Sequence, residues 1–131
     1  MESFSIKTKS KEEFIDITAE IDMVVKAKNI ISGLCTIYIP HTTAGITINE
    51  NADRDVPRDI LKGFSNLDFE NMNFLHQEGN SPAHIKSSII GCTALIIIHK
   101  GILQLGTWQG IFFCEFDGPR KRDVYIKIQS D

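Results

Sequence analysis

The chain has 131 residues, of which 42% are hydrophobic and 24% charged, and its formal net charge at pH 7 is −3. This length and composition predict one globular domain over residues 1–131 and exclude a disordered or fibrous chain. The negative charge gives no general attraction to nucleic acid, and the longest purely apolar run, 94–98, is too short for a membrane span or a signal peptide. We therefore expect a cytoplasmic protein without nucleic-acid or membrane partners.

Three segments show helical signals. Apolar residues recur at helical spacing over residues 18–29 and again over 56–67, which predicts two amphipathic helices. A serine followed by a proline is a typical helix start, and it predicts a short third helix over 81–90. Ile85 and Ile89 mark the predicted apolar side of this helix.

Most of the remaining chain is predicted to form strands, because short runs rich in β-branched and aromatic residues are separated by glycine and proline turns. The glycines and prolines between the later runs are typical of antiparallel pairing. Three helices with a mainly antiparallel sheet define an α+β fold. The predicted strands cover residues 34–39, 45–49, 93–98, 102–105, 111–117 and 123–128.

The second predicted strand has an unusual polar face. Alternation along a strand places every second residue on the same side. One side then carries only short polar groups and a glycine, whereas Thr42 falls on the opposite, apolar side. Short hydrogen-bonding groups favour a pocket wall over a solvated sheet face, which would carry long charged residues. The residues of this predicted pocket wall are His41, Thr43, Gly45, Thr47 and Asn49.

A second polar segment precedes the third helix. His76, Glu78 and Asn80 lie in a long connection without periodicity, and such connections are often functional. The helix start at Ser81 offers free backbone N–H groups, which suit a phosphate or a carboxylate. The same positive end of the helix disfavours protonation of His84, and a neutral imidazole suits a general base or a metal ligand.

The segment 106–110 holds Trp108 and Gln109 between two glycines. A large ring and an amide in such a setting favour a ligand-facing loop. The same pattern is typical of a bulge that buries a tryptophan. Both interpretations stay open on the sequence alone.

Arg120 and Arg122 follow the last predicted turn, and two carboxylates precede it. One interpretation is structural, with the arginines paired to Glu115 and Asp117 across the corner. The functional alternative is that both guanidinium groups hold a phosphate in bidentate fashion.

The histidines allow a metal site as well. His41, His76 and His84 together have the right chemistry to ligate zinc, although their spacing fits no standard zinc motif. Magnesium would need oxygen ligands, for which the acidic stretch 51–55 is the one candidate. The three cysteines, Cys35, Cys92 and Cys114, form no C-x-x-C pair and are interpreted as reduced packing residues.

Three motifs closely resemble the signatures of the YjbQ-like family. They are HTTAGITINENAD at residues 41–53, GNSPAHIKSS at 79–88 and GTWQG at 106–110, in the same order along the chain. The resemblance implies an α+β fold with a sandwich of two sheets. It also implies a homotrimer around a threefold axis with pockets near the subunit contacts.

Many members of this family carry the label secondary thiamine-phosphate synthase, so the resemblance implies a transferase that joins a hydroxymethylpyrimidine diphosphate to a thiazole phosphate. The first hypothesis is therefore an enzyme for a small phosphorylated molecule. It assigns catalysis to His41, Asn49, His76 and His84, and substrate binding to Thr43, Glu78, Asn80, Ser81, Trp108, Gln109, Arg120 and Arg122. The alternatives are a metal-dependent hydrolase with the three histidines as ligands, and a ligand-binding or structural trimer without turnover.

Overall fold

The computed structural model describes residues 1–67 and 69–131. Within these residues the chain forms three α-helices and eight β-strands. The helices are α1 (Thr18–Lys28), α2 (Asp55–Ser65) and α3 (Ser81–Ile90). The strands are β1 (Glu2–Lys7), β2 (Glu13–Asp16), β3 (Ser32–Tyr38), β4 (Ala44–Glu50), β5 (Thr93–His99), β6 (Ile102–Leu103), β7 (Gln109–Glu115) and β8 (Lys121–Ser130). A short 3₁₀ turn lies at Phe69–Asn71.

The strands form two antiparallel sheets, as the predicted α+β class requires. The larger sheet has the order β1-β8-β3-β5-β6, and the smaller sheet has the order β2-β7-β4. The first and last strands of the chain pair with each other, since β1 lies along β8. The predicted strands are all present, with ends that differ by a few residues.

The main core lies between the two sheets and is closed by α1. It contains buried residues such as Ile37 of β3, Ile46 of β4, Phe113 of β7 and Ile21 of α1. A second, smaller core lies on the other face of the small sheet, where residues of β7 such as Phe112 pack with α2 and α3. Strand β7 is therefore buried on both faces, and this is why its sequence is apolar without alternation.

Two strands of the structure, β1 and β2, are absent from the sequence-based assignment. In β1, Phe4 and Ile6 are partly buried against the core, whereas the alternating residues Ser3 and Ser5 are exposed. This alternation is a normal strand signal, but the strand is short and follows the chain end directly. Its position becomes clear only from its pairing with β8 at the other end of the chain.

The apolar side predicted for α3 is wrong. Ile89 is 56% exposed, whereas the buried residues of α3 are Pro82, Ala83, Lys86 and Ser87. Residues three and four apart lie on one helix face, so these four define a face that is small and polar rather than aliphatic. Lys86 is buried at 2% exposure because its Nζ pairs with the carboxylate of Glu12 at 2.6 Å and with Glu70 at 3.3 Å.

The close packing of α3 on β4 explains the polar face that the sequence analysis interpreted as a pocket wall. A Cβ added at Gly45 would meet the carbonyl oxygen of Gly91 at 2.5 Å, so only glycine lets the helix end approach the strand so closely. The Ser87 hydroxyl donates a 2.6 Å hydrogen bond to the carbonyl of Ala44. Gly45 is thus a packing position under the helix, and the pocket-wall interpretation of this residue is corrected.

Among residues 1–67 and 69–131, none of the helices combines the length and the apolar character that crossing a membrane requires.

Candidate functional site

An open groove lies where α3 crosses the segment that leads into β4. Its volume is about 480 Å³, and it is lined by His41, Thr42, His84, Ser87, Ser88, Gly91 and Cys92. Two of the histidines that the sequence analysis selected, 43 residues apart in the chain, therefore lie on one surface. We call this surface the histidine groove.

His41 is fixed in the histidine groove by a backbone hydrogen bond. The amide of Asp123 in β8 donates to Nε2 of His41 at 2.8 Å. Because Nε2 accepts this bond, it carries no proton, and the neutral ring holds its proton on Nδ1. Nδ1 has no hydrogen-bond partner among the described residues, so its N–H is available to a ligand in the groove.

The surroundings of His41 also favour the neutral ring. Burial lowers the pKa of His41 below its ordinary value of 6.5, and the positive charge of Arg122 lowers it further. The carboxylates of Asp123 and Glu115 oppose this shift without reversing it. The lowered pKa therefore favours a neutral His41 ring at pH 7.

His84, the second histidine of the groove, is in contact with His76. The ring of His76 lies edge-on to the ring of His84, with 5.4 Å between their centroids. His84 belongs to the first turns of α3, whereas His76 belongs to the exposed connection before it. The structure thus brings His76 beside the groove, while His41 and His84 line it.

A buried ion pair lies behind the groove. Glu115 at the end of β7 is 0% exposed and Arg122 in β8 is 3% exposed, and Arg122 Nε donates to both carboxylate oxygens at 2.9 and 3.1 Å. Arg122 Nη2 also donates to the Thr43 hydroxyl at 2.8 Å. The Thr8 hydroxyl donates to Glu115 at 2.7 Å. These bonds stabilise the carboxylate, so the pKa of Glu115 is lowered although burial alone would raise it.

This ion pair corrects the phosphate-binding role predicted for Arg122. Its guanidinium is buried and bonded to Glu115 and Thr43, so it has no pair of free N–H groups to offer to a phosphate. Thr43 is likewise 4% exposed and serves the same network. Arg120 remains half exposed, and its guanidinium bonds the carbonyl of Asp117 at 2.9 Å and the carboxylate at 3.1 Å. The structural alternative given for the arginines is the one observed.

The prediction of a phosphate-binding site at the N-terminus of α3 is also corrected. Pro82 has no N–H, and the amides of Ala83 and His84 both donate to the carbonyl of Asn80, which leaves only the Ser81 amide free among the first N–H groups. The Asn80 amide group donates to the carboxylates of Glu78 at 3.2 Å and Asp117 at 2.9 Å, and its own oxygen is buried without a partner among the described residues. The negative charges here repel a phosphate.

Three further predicted site residues lie at the opposite end of the small sheet. Asn49 pairs with Gly110, and Gln109 pairs with Glu50, whereas the histidine groove adjoins the other end of β4. Trp108 is 62% exposed, and the Gln109 side chain accepts the amide of Gly106 at 2.7 Å, which closes a tight turn. Asn49, Trp108 and Gln109 can join a histidine groove only from another copy of the chain.

The metal interpretation receives no support from the geometry. Within residues 1–67 and 69–131, no three histidine, cysteine, aspartate or glutamate side chains are grouped closely enough to hold a metal ion. His41, His76 and His84 are therefore not grouped as a three-ligand zinc site among the described residues.

Five groove residues, among them Gly91 at the end of α3, were not selected by the sequence analysis. Thr42 was placed on the apolar face because alternation was counted from residue 41, but β4 begins only at Ala44. Cys92 was interpreted as a packing residue, yet it is exposed in the groove, unlike the buried Cys35 and Cys114. Ser88 is four residues after His84, so helical spacing predicts that they share a face. Ser87 had no such signal.

The whole chain matches one protein family and several of its members. The family described as UPF0047 protein YjbQ-like matches residues 2–131. The UPF0047 protein MJ1081 of Methanocaldococcus jannaschii is 56% identical over 128 residues, which are 98% of this chain and 93% of that protein. The UPF0047 protein YugU of Bacillus subtilis is 51% identical over 131 residues, with 99% of each chain covered.

Solved structures agree with the fold over its full length. A crystal structure of an uncharacterized conserved protein of the yjbq/upf0047 family from Clostridium acetobutylicum is similar with a TM-score of 0.96 and 50% identity, covering 98% of this chain and 100% of that chain. A YbjQ-like protein of unknown function from Sulfolobus solfataricus is similar with a TM-score of 0.94 and 30% identity, covering 99% and 96%. The two-sheet sandwich is therefore the fold of these proteins as well.

The hydrogen bond from Asp123 makes a specific prediction for His41. In ¹⁵N-edited NMR spectra we expect Nε2 of His41 to be unprotonated and Nδ1 protonated, with a ring pKa below 6.5. A folded-state pKa below the unfolded value contributes stability that is present above the unfolded pKa and is lost as the pH falls toward the folded pKa. In His41→Gln, the free energy of unfolding should therefore fall less than in wild type as the pH drops from about 7.5 to 5. A His41 ring protonated on Nε2 at neutral pH would contradict the assignment.

Proposed function

The chain belongs to the UPF0047 protein YjbQ-like family, as its three motifs predicted, and we propose that it is an enzyme that acts on a small phosphorylated molecule in the histidine groove. The observation that carries this proposal is the meeting of His41 and His84 on one groove of about 480 Å³, within the usual size of a ligand site. Two imidazoles on one groove provide the side chains most often used for proton transfer near pH 7.

The charge around the groove favours an anion as the ligand. The groove is lined by histidine, threonine, serine, glycine and cysteine, and none of its lining residues is a carboxylate. The buried guanidinium of Arg122 lies close enough to His41 to lower its pKa. A phosphate at this place would accept the Nδ1–H of His41, while Glu115 balances the charge of Arg122, so the attraction comes from the hydrogen-bond donors of the groove.

The two histidines have different roles in this proposal. His41 cannot act as a base through Nε2, because that nitrogen accepts the amide of Asp123. It acts as a fixed donor that stabilises negative charge on a phosphate oxygen. We assign proton transfer to His84, which lines the groove, and a supporting role to His76, whose ring centroid lies 5.4 Å from that of His84. A fixed donor and a mobile proton carrier suit the departure of a phosphate or diphosphate group.

A specific reaction follows from the label that many members of the family carry. In the joining of hydroxymethylpyrimidine diphosphate to a thiazole phosphate, the carbon–oxygen bond to the diphosphate breaks and a carbon–nitrogen bond to the thiazole forms. Pyrophosphate leaves with the bonding electron pair. We assign to His41 the stabilisation of this leaving group and to His84 the delivery of a proton to it.

We also propose that the chain assembles as a homotrimer through the outer face of the large sheet. Exposed apolar side chains lie side by side on that face, because Leu34 pairs with Ile97 in register and Ile102 follows on the next strand. Ile97 and Leu95 are each 59% exposed, and a contiguous apolar patch on a sheet is typical of a protein contact. Exposed Lys127 of β8 lies in the same row of the sheet as Leu95, because both pair with Thr36. A contact between two different surfaces closes into a ring only when the rotation between the copies allows it, and the proposed ring closes with three copies.

Replacing His84 with alanine tests the proposed mechanism. We expect His84→Ala to lower the release of pyrophosphate from the two substrates by about 10²- to 10⁴-fold, which is the usual effect of losing a general acid. Asp59→Ala is the control, because Asp59 is an exposed residue of α2 that belongs neither to the groove nor to the proposed trimer contact. It should retain wild-type turnover. Thermal unfolding of both variants shows whether the fold is kept, and unchanged turnover in a folded His84→Ala protein would remove His84 from the mechanism.

Sedimentation equilibrium tests the proposed assembly. We expect wild-type protein to have three times the mass of the 14.7 kDa chain. Ile97→Asp places a charge in the middle of the apolar sheet face and should produce monomers. Met23→Asp introduces the same charge at a residue of α1 that is 71% exposed and lies away from this face, so it should remain trimeric. A monomeric wild-type protein, or a trimeric Ile97→Asp variant, would contradict the proposed contact.

A further inference from the structure

A second cavity, separate from the histidine groove, lies between α2 and the edge of the small sheet. Its volume is about 550 Å³, which falls in the range of small-molecule sites. It shares none of its lining residues with the histidine groove. We call it the α2 cleft and define it by its apolar floor, formed by Phe14, Pro57, Leu61 and Phe112, and by its charged rim.

The apolar floor of the cleft is only partly covered by the protein. The rings of Phe14 and Phe112 lie 6.2 Å apart at an interplanar angle of 39°, so they form two adjoining walls rather than a closed stack. Although α2 is amphipathic, none of its residues is fully buried. The cleft therefore opens beside the partly exposed ring of Phe14, whereas Phe112 is buried beneath it at 5% exposure, and the open space suits another flat ring.

One part of the rim is acidic. Glu12 uses Oε1 to bind Lys86, and Asp53 uses Oδ1 to accept the amide of Asp55 at 2.9 Å. The second oxygen of each carboxylate has no hydrogen-bond partner among the described residues. These two oxygens are therefore available to an ammonium group, which donates up to three hydrogen bonds.

The other part of the rim is basic. Arg54 lines the cleft at the start of α2, and its guanidinium makes no ion pair or hydrogen bond within the described part of the chain. Arg58, one turn further along, has only a loose pair with Asp55 at 3.8 Å, and its side chain is 75% exposed. A carboxylate ligand would offer these guanidinium groups the bidentate partner that the chain itself does not provide.

From these features we propose that the α2 cleft binds a small aromatic zwitterion that carries one ammonium and one carboxylate group, as a free aromatic amino acid does. The ring lies against the partly exposed Phe14, the ammonium binds Asp53, and the carboxylate binds the neighbouring Arg54, with Arg58 one turn further along α2. Both charge signs on one rim select this class over a simple amine or a simple acid, because each of those leaves one set of charges without a partner. The inference does not depend on chemistry in the histidine groove.

Three probes that share a phenyl ring and differ in their charged groups test the proposal. Isothermal titration calorimetry on the full chain would compare L-phenylalanine, phenethylamine, which lacks the carboxylate, and 3-phenylpropanoate, which lacks the ammonium. We expect L-phenylalanine to bind about tenfold more tightly than either analogue, since one hydrogen bond between charged groups contributes roughly this factor. Changes in backbone amide shifts should be concentrated in residues 12–16 and 53–61.

Matched variants separate the rim charges from general effects. Arg54→Gln should weaken L-phenylalanine about tenfold, whereas Lys62→Gln removes the same charge from the same helix outside the cleft and should have no effect. Asp53→Asn keeps an acceptor for the Asp55 amide, so it removes the charge without removing the hydrogen bond at the helix start.

Three results would overturn the proposal. They are the absence of L-phenylalanine binding up to its solubility limit, equal binding of all three probes, and wild-type affinity in Arg54→Gln. None of these results bears on the turnover of His84→Ala, so failure here is distinguishable from failure of the proposed function.

Discussion

The buried ion pair between Glu115 and Arg122 holds together the part of the molecule where both sheets meet. Glu115 ends β7 in the small sheet, and Arg122 lies in β8 of the large sheet. Thr8, which follows β1, and Thr43, which precedes β4, bond the same two side chains. Removing one partner of such a pair leaves an uncompensated buried charge and costs about 3–5 kcal/mol. Four distant chain segments are therefore fixed at one place.

The geometry of the histidine groove depends on this hydrogen-bond network around Glu115 and Arg122. Thr43 is bonded to Arg122, and His41, two residues earlier, accepts the amide of Asp123, the residue after Arg122. The guanidinium thus positions the segment that carries His41 and also lowers the pKa of its ring. A charge that is too buried to touch a ligand can still position a residue that does, here through Thr43 and the neighbouring Asp123. In this account Arg122 is a positioning residue for His41.

The sequence predicted the secondary structure well where a local pattern decided it. Strands of β-branched residues and the helix start at Ser81 are local signals, and they were correct. The apolar side of α3 was not, because Lys86 is buried by Glu12 and Glu70, which are distant in the chain. His41 lines the groove, but strand alternation was extended back to residues that precede β4, which begins at Ala44, so Thr42 was assigned to the apolar side. Pairing of Arg122 with Glu115 was foreseen only as one of two alternatives, since burial decides between them and burial is a property of the fold.

The most direct test of this account is the ¹⁵N NMR signal of the His41 ring in Glu115→Gln, recorded under conditions in which the variant is still folded. Glutamine keeps the size of the side chain and one accepting oxygen, but it removes the charge and places an NH2 donor where the second oxygen accepts hydrogen bonds. If the ion pair positions His41, the variant ring should lose its single Nδ1–H tautomer and titrate at a pKa different from that of wild type. A folded, destabilised variant in which the tautomer and the pKa of His41 are unchanged would show that the pair stabilises the fold without shaping the groove.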